Sequence, residues 1–188
     1  MAAIRVRPLP PAADRAGLRP YRAGGRPDGL IGDGLAGYGL AGDGPTDYWL
    51  PGYWLSPALF GIGADGGPAL AAPGLVEAAI GRHLCRLRRP LGPREIRFLR
   101  AGLGVSQAGL GRLLGYRDKQ RVAAAEKRAG APRPLVPTAE MLLRSHYLGM
   151  HGPAQLSGDA YIGAASAIAA ALAAPPAALP QTEYLVTL

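Results

Sequence analysis

Residues 93–128 read PREIRFLRAGLGVSQAGLGRLLGYRDKQRVAAAEKR, and the order of helix signals and turn signals in this stretch decides the fold. Pro93 falls in the first turn of a helix predicted over 93–103, where a fixed φ and a missing N–H do no harm. Ile96, Leu99 and Leu103 form the apolar stripe of that helix, with Phe98 flanking and Arg94, Arg97 and Arg100 on other faces. Ser106 is a good N-cap for a second helix, whose apolar residues are Leu110, Leu113 and Leu114. A Gly115-Tyr116 turn follows, and Arg117 or Asp118 opens a third short helix.

Two short helices joined by a glycine turn, the second carrying Lys, Gln and Arg outward, are the sequence form of a helix-turn-helix. Leu110, Leu114 and Val122 have the spacing that lets the two helices bury against each other, and Gly111 supplies the small residue where backbones approach closely. An ordinary short-helix bundle would share that apolar pattern. It does not explain the polar surface of 117–128. A helical wheel centred on Val122 sends Gln120, Ala124 and Lys127 to the far side, flanked by Arg117, Arg121 and Arg128. Arg and Lys contact guanine edges and phosphates, Gln reads adenine, and Ala can touch a thymine methyl.

The charge agrees with this placement. Residues 82–133 hold 14 Arg and Lys against Glu95, Asp118 and Glu126, a local sum of 14 − 3 = +11. The remaining seven basic and ten acidic residues sum to −3, which gives the net +8 of the 188-residue chain. A field concentrated in one segment is the footprint of a polyanion binder, although a solvated arginine-rich face has the same sum.

Outside this segment the chain is less informative. Gly and Pro together make up 28 + 19 = 47 residues, so part of the length is not expected to pack. Residues 1–46, where Gly-Leu recurs at Gly29-Leu30, Gly34-Leu35 and Gly39-Leu40, are expected to be disordered. The stretch DYWLPGYWLSPALFGIGAD at 47–65 suggests two short strands, a hairpin about Pro51-Gly52. A helix over 73–87 would place Leu75, Ala79, Leu84 and Leu87 on one stripe. After the loop at 130–137, Thr138 is read as the cap of a helix in which Met141, Leu142 and Tyr147 close the core. An alanine-rich segment at 159–174 is either a dimer helix or a tail, and EYLVTL at 183–188 has strand propensity without an identifiable partner.

With these residues in view, FLRAGLGVSQAGLGRLLGY…VAAAEK resembles the helix-turn-helix of the phage-repressor (Cro/C1, XRE-type) family. Within it, the chain is similar to antitoxin-like regulators through Trp49-Leu50 with Gly52-Tyr53, Gly74-Leu75 with Ala79-Ile80-Gly81, and Leu91 through Arg100. The resemblance covers residues 47–149. It implies that Gln107 opens the second helix and bonds a phosphate or base edge. It likewise puts Lys119, Gln120 and Ala124 in base-reading positions, and makes Arg100 and Glu126 a structural pair between the first and third helices. The sequence departs from the family pattern at Ala125, where Trp or Leu is usual, in one extra residue between Gly115 and Val122, and in a glycine displaced to Gly130.

Other chemistries find little footing. Gly61-x-Gly63-x-x-Gly66 has the form of a dinucleotide-binding turn, but Pro68 and Pro73 interrupt where a helix must follow, so it reads as a loop. His83 with Cys85, and His146 with His151, are too few ligands for a metal site. Ser145-His146 are sequence neighbours without a nucleophile motif. The single cysteine excludes an internal disulfide and fits a reducing compartment. No segment has the length and apolarity of a signal peptide or membrane span.

The sequence therefore predicts a mainly α protein, a phage-repressor-like helix-turn-helix bundle with a small strand-and-helix module upstream and flexible termini. The expected domains are a disordered 1–46, a hairpin-plus-helix module at 47–90, the DNA-binding domain at 91–150 and a tail at 151–188. The expected function is cytoplasmic, sequence-specific binding of double-stranded DNA by a homodimeric repressor, with no catalytic residue, cofactor or metal. The alternative is an antitoxin-type interaction protein that neutralises a toxin enzyme, with Trp49, Tyr53 and Trp54 as the contact surface.

Overall fold

A computed structural model describes residues 4–9, 17–23, 48–63, 66–127, 134–152 and 183–188, with the isolated positions 166 and 169. The chain divides into two units, 1–80 with 181–188, and 81–180. Among the described residues, the first holds a small mixed sheet and the second is helical.

In the first unit, β1 (Arg5–Pro8), β2 (Arg19–Ala23), β3 (Tyr48–Leu55) and β6 (Tyr184–Thr187) form one four-stranded sheet in the order β1-β6-β3-β2. β6 runs antiparallel to β1 and parallel to β3, and β2 runs antiparallel to β3. Leu185 and Val186, successive residues on opposite faces of the central β6, are both buried, and Tyr53 stacks on Tyr184 with ring centroids 5.3 Å apart. The two edge strands, RVRP and RPYRA, carry the arginines and prolines that suit a strand with one unpaired side.

Three sequence expectations change here. Strands β1 and β2 lie inside 1–46, read from composition as disordered; Val6 pairs with Val186, and the buried Tyr21 lies on β2, which pairs with β3. The strand-prone 183–188 finds its partners in β1 and β3, so the chain's end belongs to this sheet and not to a tail. The repeated Tyr-Trp-Leu is one strand, not a hairpin. Trp49 pairs with Arg22 and Trp54 with Pro20, so residues 50–53 of β3 oppose the single residue Tyr21. Pro51-Gly52, with Gly52 at φ 91°, absorbs the bulge without reversing the chain.

The hairpin of this unit lies further on, between β4 (Phe60–Ile62) and β5 (Pro68–Leu70). Gly63 and Gly66 belong to its turn, where the Gly66 N–H donates to the Gly63 carbonyl (3.0 Å). Of the glycine pattern at 61–66, Gly61 thus lies in β4, and a strand, not a helix, follows Gly66. Helix α1 (Pro73–Arg86) buries Val76, Ala79, Ile80, Leu84 and Cys85. Leu75 is exposed, because the stripe runs one residue later than the expected one.

The second unit builds α2 (Pro93–Gly102), α3 (Gln107–Leu113), α4 (Gln120–Lys127) and α5 (Pro137–His151). α2 starts at Pro93, with the Glu95 carboxylate accepting the Gly92 N–H (2.7 Å). It stops at Gly104, whose φ of 67° permits the closing bond to the Ala101 carbonyl (2.8 Å). Ser106 Oγ caps α3 by accepting the Gly109 N–H (3.0 Å), and Gly115 at φ 75° ends it. Asp118 Oδ1 accepts the Gln120 N–H (2.8 Å) to start α4. The N-cap of α5 is Val136, with Pro137 as the first helical residue, two residues ahead of the expected cap Thr138, because proline's fixed φ favours the first helical position. Leu143, Tyr147 and Leu148 close the core from α5, whereas Met141 is exposed.

Two features hold this unit together that composition does not announce. The Tyr147 ring fits against Gly81 and Gly102, and a Cβ at Gly102 would lie 2.7 Å from Tyr147 Cε2. Arg144, fully buried, donates to the carbonyls of Leu84, Cys85, Leu87 and Arg89, satisfying the orphan oxygens that follow the last turn of α1. Glu140, one turn earlier on α5, pairs with that guanidinium and accepts the Leu91 N–H (3.0 Å).

Candidate nucleic-acid interface

Val122 and Ala125 fix the orientation of α4, since both are fully buried. The helix packs against α2 and α3. Its contact with α3 is made at Gly111: a Cβ there would meet the Asp118 carbonyl oxygen at 3.0 Å and the Lys119 Cα at 3.9 Å. The backbone entering α4 therefore occupies the space a side chain would need.

The second anchor is ionic. Arg100 on α2 donates from Nε to Glu126 Oε1 (2.6 Å) and from Nη2 to Oε2 (3.2 Å), with side chains 0 % and 3 % exposed. Its Nη1 donates to the Val105 carbonyl (3.0 Å), so the same guanidinium also ties down the turn between α2 and α3. Gln107 joins the pair, donating from Nε2 to Glu126 Oε2 (2.9 Å). The sequence-derived pair Arg100 and Glu126 is thus brought together. Gln107 opens α3 as expected, and one N–H of its amide is taken by Glu126.

With these contacts made, Arg117, Lys119, Gln120, Arg121 and Lys127 are all exposed, and Ala124 is half-buried between them and the core. Arg128 lies outside the described residues. Arg121 lies over the Tyr116 ring, its Cζ 5.4 Å from the centroid. Burial raises the Tyr116 phenol above its usual range, against the opposing effect of Arg121.

The neighbouring basic residues divide. Arg88 is exposed, whereas Arg89 is engaged in a bidentate pair with Glu95 (2.8 and 2.6 Å) and donates to the Pro90 carbonyl (3.1 Å). Not every arginine of the +11 segment is available to a ligand. Within it Arg89 and Arg100 are structural, as is Arg144 beyond it. The sequence reading missed the buried Glu140–Arg144 pair on α5; its i, i+4 spacing is the available signal, and that spacing alone does not say that the pair is buried.

The soft-ligand candidates stay apart from chemistry. Cys85 is buried and its thiol is pushed up to about 12 by that burial, leaving it unreactive. His83 is held down to about 4 by burial and by the charge of Arg89. His151 bonds the Gly102 carbonyl through Nε2 (2.8 Å), and Arg82 donates to the His151 carbonyl (3.0 Å), closing the end of α5. Among the described residues, no three His, Cys, Asp or Glu side chains are grouped to hold a metal, and no helix is long and apolar enough to cross a membrane.

The aromatic surface expected on β3 is reduced. Tyr53 is buried, and Trp54 is half-buried with its Nε1 donating to Glu183 Oε1 (3.4 Å). The Trp49 side chain lies outside what the structure describes. Comparison with protein-family models, with characterised proteins and with solved structures gives no match.

Proposed function

We propose that α2 to α5 form a helix-turn-helix bundle of phage-repressor type, and that the protein is a sequence-specific DNA-binding regulator. α4 is its reading helix. The observation that carries the proposal is the contrast along α4: Val122, Ala125 and Glu126 are bound inward, while Gln120, Arg121 and Lys127 are left exposed on a short, doubly anchored helix. A helix fixed from behind presents its outer side chains to a major groove with little further ordering cost. In the groove, Gln120 suits adenine, Lys127 suits guanine, and Ala124 is small enough for a thymine methyl.

Arg117, Lys119 and Arg88 supply cations for phosphate. Occupying an operator blocks polymerase by exclusion and uses no catalytic group, cofactor or metal, so repression in the cytoplasm is the simplest outcome. Two half-sites bound by a homodimer would multiply a modest single-site affinity. Selection from a random pool of duplexes tests this directly. Enrichment of a palindromic site supports the proposal, and a pool that stays random at low salt removes it.

The antitoxin-like reading has less support than the sequence lent it, because Tyr53 is packed inside the sheet and cannot contact a partner. Co-purification with the product of an adjacent reading frame would restore it.

A further inference from the structure

The Arg121 guanidinium lies over the Tyr116 ring, its Cζ 5.4 Å from the centroid. Both residues border the turn into α4, Arg121 is exposed, and Tyr116 is only half-buried. With 3.6 residues per turn, Gln120, Ala124 and Lys127 point opposite the buried Val122 and Ala125, while Arg121 lies roughly a quarter turn round on the flank. A side chain on the flank of a groove-bound helix meets the sugar–phosphate backbone, not base edges.

We infer, resting on the DNA-binding reading above, that Tyr116 is a positioning residue that pre-orders Arg121 as a phosphate clamp. The ring faces the exposed guanidinium, and no hydrogen bond to another described residue takes its N–H donors. Those donors form the fork that fits two phosphate oxygens. A free arginine must give up several rotamers to bind. An arginine already laid on a ring has lost part of that freedom in the fold, so more of the contact appears as affinity. The cation–π attraction holding it there needs only the ring and not the phenol oxygen.

The test compares duplex binding by wild type, Tyr116→Phe, Tyr116→Leu, Arg121→Ala and the Tyr116→Leu/Arg121→Ala double variant, using a selected duplex and a scrambled one over a range of salt. Tyr116→Phe should bind as wild type. Tyr116→Leu should weaken both duplexes alike, by about two- to fivefold. Arg121→Ala should weaken both further and lower the salt slope by about one counterion. In the Arg121→Ala background, Tyr116→Leu should cost nothing more, whatever its effect on melting temperature.

Equal losses from Tyr116→Leu with and without Arg121 would overturn the inference, because the ring would then act only through the fold. So would a loss confined to the selected duplex, or wild-type affinity in Tyr116→Leu; either result leaves the DNA-binding reading intact. A wild-type protein that binds neither duplex at low salt overturns that reading and this one with it.

Discussion

Replacing Arg100 by Met removes the charge that holds α2 to α4 while keeping most of the apolar stem. Among the described residues, Glu126 would then keep only the Gln107 amide as a partner at a site 3 % exposed, and the Val105 carbonyl would lose the Arg100 donor. Breaking a buried ion pair from one side typically costs roughly 3–5 kcal/mol, because the remaining charge is left desolvated. At 4–8 °C per kcal/mol for a domain of this size, the helical unit should melt at least about 12 °C lower. Restoring neutrality with Arg100→Met/Glu126→Leu should recover most of the loss, because a buried pair contributes less than its severed half costs. Urea unfolding followed by far-ultraviolet dichroism reads both variants. A loss below about 1 kcal/mol for Arg100→Met would place the pair in the range of solvated surface bridges. It would refute the claim that this pair fixes α4.

Three further outcomes follow from the packing. Gly111→Ala puts a methyl 3.0 Å from the Asp118 carbonyl oxygen, so it should destabilise the unit by about 1–3 kcal/mol and weaken duplex binding with it; unchanged stability would mean that α3 and α4 are not in backbone contact. Removing residues 183–188 takes away the central strand with buried Leu185 and Val186, worth roughly 3–6 kcal/mol from those side chains alone; a truncated chain melting with wild type would contradict the sheet order. Burial raises Glu77 to about 7, opposed by its bond to Tyr21, while the unfolded carboxyl stays near 4.5. Folded Glu77 then holds a proton that the unfolded chain has released, so its contribution is full below pH 4.5 and is lost as pH rises to 7. His83, held down to about 4, acts in the opposite direction: its contribution is full above 6.5 and lost as pH falls through 4. Pressure-free thermal scans from pH 4 to 8 on Glu77→Gln should abolish the first dependence and leave the second.

Much of the helical unit is legible in the sequence because its signals are local. Pro93, Ser106 and Gly115 bound their helices by chemistry confined to a few residues, and Gly111 faces a backbone only seven residues away. The Arg100–Glu126 pair came from the family resemblance, not from spacing, and it meets as that resemblance implies. Gln107 adds a contact that the resemblance does not announce, an amide N–H donated to Glu126. The sheet is illegible for the opposite reason. Val6 and Val186 are 180 positions apart and pair only because both termini return to one place. A four-residue strand with alternating Arg carries no periodicity long enough to outweigh its glycine- and proline-rich surroundings. Likewise the structural use of Arg89 and Arg144 cannot be separated by composition from the exposure of Arg88 and Arg117, so charge counting overstates the cations available to a ligand.

The central claim, that α4 reads base sequence, is tested most directly by Gln120→Ala on a duplex obtained by selection and on the same duplex scrambled. Gln120 is exposed, and its backbone N–H, not its side chain, makes the cap with Asp118, so the fold is not at stake. The account predicts a loss of about 1–3 kcal/mol on the selected duplex with non-specific binding nearly unchanged. Equal losses on both duplexes, or no loss on either, would contradict it.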